Sequence, residues 1–238
     1  MKTFLKNLAL CAVVGTTISA NAVNFGVDPN ATWFGFMNVW DIPQNGPGGS
    51  YPPTLGAYMF GSGWGTADLC ATWSSGVLTL SPNTIGDPAE YWYIGGGMQG
   101  AIGNKIMDAN LYLETTGLYS GQTVSFSGTV SANTLVGQTD ALGNGWTSVA
   151  FIKDFAPDYS SFNVATVPLT PGAFSVSLGT VADPARHVQW GFETLGPDVW
   201  ITDVGNFGNI QIVAVPEPSS LALMGLGLLG TLVWRRRQ

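Results

Sequence analysis

The chain has 238 residues, with 15 acidic and 8 basic side chains and a formal charge of −7. The basic groups crowd at the two ends, so residues 23–214 hold only Lys105, Lys153 and Arg186 against 14 acids, a balance of −11. That excludes nucleic acid and anionic lipid surfaces as partners, because both need basic patches. Cys70 is the only cysteine of that stretch, so no disulfide can form within it.

Met1 to Ala22 reads as a secretory signal peptide. Lys2 and Lys6 supply the positive start, Leu8 to Val14 is an uncharged apolar run, and Ala20-Asn21-Ala22 puts small residues where signal peptidase needs them. The cut is expected between Ala22 and Val23. Roughly 12 apolar residues are too few to span a bilayer, which argues against a permanent N-terminal anchor.

The next stretch, to about residue 66, is rich in Gly and Pro and carries Trp33, Trp40, Tyr51, Tyr58 and Trp64, of which Tyr51 and Tyr58 read as loop aromatics. Ala67–Trp73 and Val77–Leu80, joined by Ser74-Ser75-Gly76, form an expected hairpin. Tyr91-Trp92-Tyr93 then precedes a Gly95-Gly96-Gly97 turn. From Lys105 to Glu114, Ile106, Asp108, Asn110, Tyr112 and Glu114 alternate with Met107, Ala109, Leu111 and Leu113, as in a half-buried strand. Gln122–Val130 repeats the pattern with Val124, Phe126, Gly128 and Val130 on one side. Thr147–Phe155, Ala173–Leu178, His187–Glu193 and Asn209–Val213 are further strands, and no amphipathic helix of three turns is evident. About eight to ten strands of this kind make an all-β, antiparallel β-sandwich over residues 23–214.

Two local patterns carry a resemblance. Tyr119-Ser120-Gly121-Gln122-Thr123-Val124-Ser125-Phe126 enters a strand through a Gly-Gln turn, and Val188-Gln189-Trp190-Gly191-Phe192-Glu193 leads to Val199-Trp200-Ile201-Thr202-Asp203-Val204. Over about Gly100 to Val213 this order resembles the jelly-roll carbohydrate-binding modules and galactose-binding-like domains. Those modules close on two consecutive aspartates, where this chain has Thr202-Asp203. The resemblance implies a jelly-roll sandwich that binds glycans, with structural Ca2+ as a candidate cofactor.

Few residues offer catalytic chemistry. His187 is the sole histidine, so a His-rich zinc site cannot be assembled, and nothing local supports Cys70 and His187 as a thiol pair. Asp87, Glu90, Asp108, Glu114, Asp154, Asp158 and Glu193 are raw material for the paired acids of a glycoside hydrolase, but 14 acids always offer some pair. A non-catalytic protein is expected. Sugars stack on exposed rings, which makes Tyr51, Tyr58 and Trp92 the candidate glycan contacts, while Trp146, Trp190 and Trp200 are expected in strands and in the core. Asp154, Asp158 and Asp203 are candidate calcium ligands.

The C-terminus is Val215-Pro216-Glu217-Pro218, then 16 uncharged residues, Ser219 to Trp234, then Arg235-Arg236-Arg237-Gln238. A helix of that length spans roughly 24 Å, against about 30 Å for a hydrocarbon core. The arginines would stay in the cytoplasm while the preceding chain lies outside. This arrangement resembles the PEP-CTERM sorting signal, in which Pro216, Glu217 and Pro218 form the motif and Arg235, Arg236 and Arg237 the basic cluster. The resemblance implies export, transient anchoring by a short transmembrane helix, and processing by an exosortase-type membrane protease, with an ordinary single-pass anchor as the alternative. The expected product is a cell-surface or extracellular-matrix protein whose partner is exopolysaccharide. A self-associating structural protein is the alternative, and a glycoside hydrolase a remoter one.

Overall fold

The structure is a computed structural model that describes residues 23–46 and 55–214. The signal-cleavage residues Ala20 and Ala22, the ring of Tyr51 and the whole tail, including Pro216–Pro218 and Arg235–Arg237, lie outside the described residues. Val23, the expected new N-terminus, opens the first strand.

Fourteen strands follow in chain order: β1 (Val23–Phe25), β2 (Phe34–Asp41), β3 (Tyr58–Trp64), β4 (Ala71–Ser74), β5 (Val77–Leu80), β6 (Tyr93–Ile94), β7 (Ile102–Gly103), β8 (Lys105–Thr116), β9 (Thr123–Asn133), β10 (Thr147–Phe155), β11 (Phe162–Pro168), β12 (Gly172–Gly179), β13 (His187–Pro197) and β14 (Ile210–Val213). The helical elements among the described residues are two short 3-10 turns, Pro43–Asn45 and Val204–Asn206. None of the described helices is long and apolar enough to cross a membrane.

The strands form two six-stranded sheets and a small β6–β7 ribbon. One sheet runs β3-β2-β8-β13-β10-β11 with every pairing antiparallel. The other has β9 paired with β12 along one edge and with β14, β5 and β4 successively on the other, while β1 joins β9 in parallel. Because successive strand residues point to opposite faces, each sheet turns an apolar set toward the other. Val124, Phe126 and Val130 of β9 meet Met107, Leu111, Ile152, Val188 and Phe192 of the facing sheet in one continuous core. This is the expected all-β sandwich.

Several details differ from the sequence reading. The fourth strand starts at Ala71 rather than Ala67, because residues 66–70 close turns (Cys70 N–H to Ala67 O, Ala71 N–H to Thr66 O) and Cys70 has φ +55°. The hairpin turn at Ser75 and Gly76 holds, both at positive φ as a tight two-residue connection requires. Tyr58, read as a loop aromatic, lies with Trp40 and Trp64 on the paired strands β2 and β3, and Phe162–Pro168 adds an edge strand. Trp146 and Trp190 are core residues, 5% and 9% exposed, with Trp190 stacked on Phe25 at 3.9 Å. Trp200 is not in a strand; it follows a bridge between Val199 and Thr84 and packs edge-on against Tyr93.

Candidate functional site

The pleat that sends Met107, Ala109 and Leu111 inward sends Asp108, Asn110, Tyr112 and Glu114 to the outer face of the six-stranded sheet through β8. Register carries that face sideways. Glu193 lies beside Asn110, Gln189 beside Glu114 and Gly191 beside Tyr112 on β13. On β10, Phe151, Lys153 and Phe155 continue the rows. On β2, Phe36 pairs with Asn110 and Asn38 with Asp108.

These positions make a connected polar strip. Asn38 Nδ2 donates to Asp108 Oδ2 at 3.0 Å and Asn110 Nδ2 to Asp108 Oδ1 at 2.7 Å. Lys153 Nζ donates to Asn110 Oδ1 at 2.7 Å and to Glu193 Oε2 at 2.9 Å, above the ring of buried Phe151 at 4.2 Å. Further along, Glu114 accepts from Gln189 Nε2 at 2.6 Å and from the Tyr159 hydroxyl at 2.9 Å. Burial, reinforced by the Glu193 charge, pushes the Asp108 carboxyl up to about 7, against the opposing pull of Lys153, Asn38 and Asn110.

Aromatic rings flank the strip on both sides. On the β2–β3 side, a bulge between Val39 and Trp40 brings Tyr58 opposite Trp40, and the rings meet edge-on at 4.9 Å. The same bulge leaves Phe60 opposite Val39, on the core-facing side, so Tyr58 and Phe60 point apart. A Cβ on Gly61 would lie 2.6 Å from the Tyr58 hydroxyl, 2.7 Å from Asn38 Oδ1 and 2.9 Å from Phe36. Glycine therefore allows the ring, the amide and the strip to close together. On the β10–β11 side, Phe155, Phe162 and Tyr159 pack on one another at 4.8–5.5 Å. Tyr159 has φ +57° and stacks on His187 at 4.3 Å, with its hydroxyl held by Glu114. His187 shares a hydrogen bond with Thr116 at 2.8 Å, an ordinary strand-end arrangement.

The remaining sequence candidates are placed elsewhere. Trp92 is half-buried in the turn before β6, edge-on to Tyr91 and Phe60. The structure therefore does not bring Tyr58 and Trp92 onto one face. The three aspartates offered for calcium are not brought together either. Asp154 is fully buried: Oδ1 accepts from Arg186 Nε at 2.9 Å and Oδ2 from the Val181 N–H at 2.9 Å. Asp158 is exposed and accepts from Ser160, while Asp203 accepts from the Gly100 N–H at 2.6 Å. Among the described residues no group of three or more His, Cys, Asp or Glu could hold a metal ion. Sequence reasoning named Asp108 and Glu193 only as generic acids and passed over Asn38, Asn110 and Lys153. The available signal was the alternation that set Asp108 and Asn110 on the polar side of a half-buried strand.

Two concavities lie elsewhere among the described residues. A cavity of about 130 Å³ beside the end of β13 contains Asp198, 1% exposed, whose Oδ2 has no partner, and Trp146, whose Nε1 has none. Burial pushes the Asp198 carboxyl up to about 7. An open groove of about 640 Å³ runs past Trp64, Asp68, Thr84 and Ile201.

Residues 214–237 match the family model of the PEP-CTERM protein-sorting motif, so the chain carries that C-terminal sorting signal. The comparison with curated proteins returned no match. Among solved structures, one described as "carbohydrate-binding modules from the beta-sandwich super family" is similar at 15% identity, over 83% of this chain and 92% of that one, with a TM-score of 0.31.

Proposed function

We propose that this protein is exported, delivered to the cell surface or extracellular matrix through its sorting motif by an exosortase-type protease, and there binds exopolysaccharide without catalysing a reaction. The observation that carries the binding reading is the outer face of the six-stranded sheet. A strip of hydrogen-bonding groups from Asn38 to Glu114 runs between two sets of rings, Trp40 with Tyr58 and Phe155 with Tyr159 and Phe162. Saccharides present the complementary surfaces, apolar C–H faces that stack on rings and hydroxyls that donate to carboxylates and amides.

The non-catalytic reading rests on how the groups are used. Lys153 neutralises Glu193 and both Asn38 and Asn110 hold Asp108, so the acids are committed to a static network. Binding of the purified domain to a panel of soluble polysaccharides, with Tyr58→Ala as the control, tests the proposal. No retention by any polymer would overturn it, and turnover on chromogenic glycosides that is lost in Asp108→Asn would overturn the non-catalytic part.

A second reading, self-association into a structural layer, draws on the two outer strands of this sheet. β3 and β11 carry exposed Met59, Phe60, Phe162 and Val164. Concentration-dependent light scattering without added glycan separates it from the first.

A further inference from the structure

On the reading of the outer sheet face as a saccharide site, we infer that it takes hydroxyl- or amino-bearing glycans that carry no acid groups, and rejects uronates and other anionic sugars. It follows from how the cations of the domain and the side-chain amides of the strip are paired. The sequence between the signal peptide and the sorting motif has three basic residues, and each is paired. Lys105 lies 2.7 Å from Asp41, Lys153 2.9 Å from Glu193 and Arg186 2.9 Å from buried Asp154. Arg186 also donates to the Asp154 carbonyl at 2.6 Å, and Lys105 to the Asn104 carbonyl at 3.0 Å.

The side-chain amides of the strip and the Tyr159 hydroxyl are paired with its carboxylates as well. The amides of Asn38 and Asn110 both point at Asp108, and those of Gln189 and the Tyr159 hydroxyl at Glu114. Strong anion recognition uses a free guanidinium or ammonium, and resident carboxylates already pair with all three of these. A carboxylate accepts at about four lone-pair sites, so Glu114 and Glu193, and Asp108 above about pH 7 where it is ionised, keep acceptor capacity that their partners do not fill. The face is left with surplus acceptors and a surplus of negative charge. Hydroxyl and ammonium groups satisfy such a surface, whereas an added carboxylate meets like charge and is repelled.

The decisive experiment uses a matched pair. A neutral polysaccharide that binds is compared with the same polymer whose primary alcohols have been oxidised to carboxylates, by titration calorimetry at low and high salt. The expected result is a loss of affinity of about tenfold or more on oxidation at low ionic strength, shrinking as salt screens the charges. Asp108→Asn, with its fold checked by circular dichroism, should recover part of the lost affinity. Equal or tighter binding of the oxidised polymer, or retention of polyuronates alone, overturns this inference and leaves saccharide binding standing. Retention of no polymer of any charge instead removes the saccharide reading on which it rests.

Discussion

The Lys153 ammonium sits 2.9 Å from the Glu193 carboxylate across β10 and β13, and among the described residues it is the one Lys or Arg side chain facing the outer strip, with His187 Nδ1 3.9 Å from Glu114 at the far end. Both side chains are mostly shielded, at 13% and 26% exposure, so the pair is neither a surface ion pair nor a fully buried one. Lys153→Met would leave Glu193 and Asp108 facing each other without a counter-charge. Breaking a fully buried pair costs about 3–5 kcal/mol; solvent contact here lowers the expected loss to about 1–3 kcal/mol. Lys153→Met/Glu193→Gln should lose less than Lys153→Met alone. Urea unfolding of the three variants checks the order.

Two acids make stability depend on pH in an unusual direction. Asp108 and Asp198 both have folded-state carboxyls raised to about 7, chiefly by burial. A raised acid binds its proton more tightly in the folded state than in the unfolded chain. Its contribution is therefore present at low pH and is lost as pH rises through the folded value. The melting temperature should climb by several degrees from about pH 8 to about pH 5, rather than fall. Asp198→Asn should flatten part of that slope, because the amide keeps the shape of the neutral acid. A melting temperature that is constant or rises with pH across this window would contradict the assignment.

The sandwich was legible where a strand keeps one wet face. Lys105–Glu114 and Gln122–Val130 alternate in the sequence, and both are strands of the structure, as is Thr147–Phe155. β2 and β3 were not legible, because Gly35, Gly61 and Gly63 resemble turn chemistry when read locally. Gly35 and Gly61 are instead positions where a Cβ would strike Trp64, Leu69, Tyr58 or Asn38. That demand comes from partners that the sequence does not reveal. Half the binding face was similarly hidden. Asp108 and Asn110 show in the alternation of β8, but Lys153 and Asn38 join them only through register with other strands.

Asp154 is a candidate calcium ligand in the sequence, and the structure buries it against Arg186. Arg186→Met should cost about 3–5 kcal/mol by stranding a buried carboxylate. Arg186→Lys should recover only part, since one ammonium cannot reproduce the fork that reaches both Oδ1 and the Asp154 carbonyl. If Asp154 were a metal ligand, a chelator would lower the wild-type melting temperature as the substitution does. The expected chelator effect is no shift, measured by differential scanning calorimetry.

Tyr58 and Trp92 separate binding from packing. Tyr58 is 51% exposed on the outer face, touching Trp40, so Tyr58→Ala should weaken polysaccharide binding severalfold with little change in unfolding midpoint. Trp92 packs partly against the core and its carbonyl accepts from the Asn104 N–H at 2.7 Å. Trp92→Ala should therefore lower stability by about 2–4 kcal/mol while leaving the affinity of the folded fraction unchanged. Titration and denaturation of both variants test the contrast, which would fail if Trp92→Ala proved the stronger binding mutant.

The sorting tail makes a claim about covalent structure. Sixteen uncharged residues behind Pro216-Glu217-Pro218 are short for a lasting span, and the last strand ends at Val213, just before the motif. Strand β14 lies between β9 and β5 in the middle of its sheet, so cleavage within the tail leaves the sandwich intact. Mass spectrometry of the surface-exposed form should find a chain that starts at Val23 and ends near the motif, without Arg235-Arg236-Arg237. Replacing Pro216, Glu217 and Pro218 with alanine should leave the full-length tail in the membrane fraction. An intact arginine cluster on wild-type surface protein would mean that the tail is a permanent anchor.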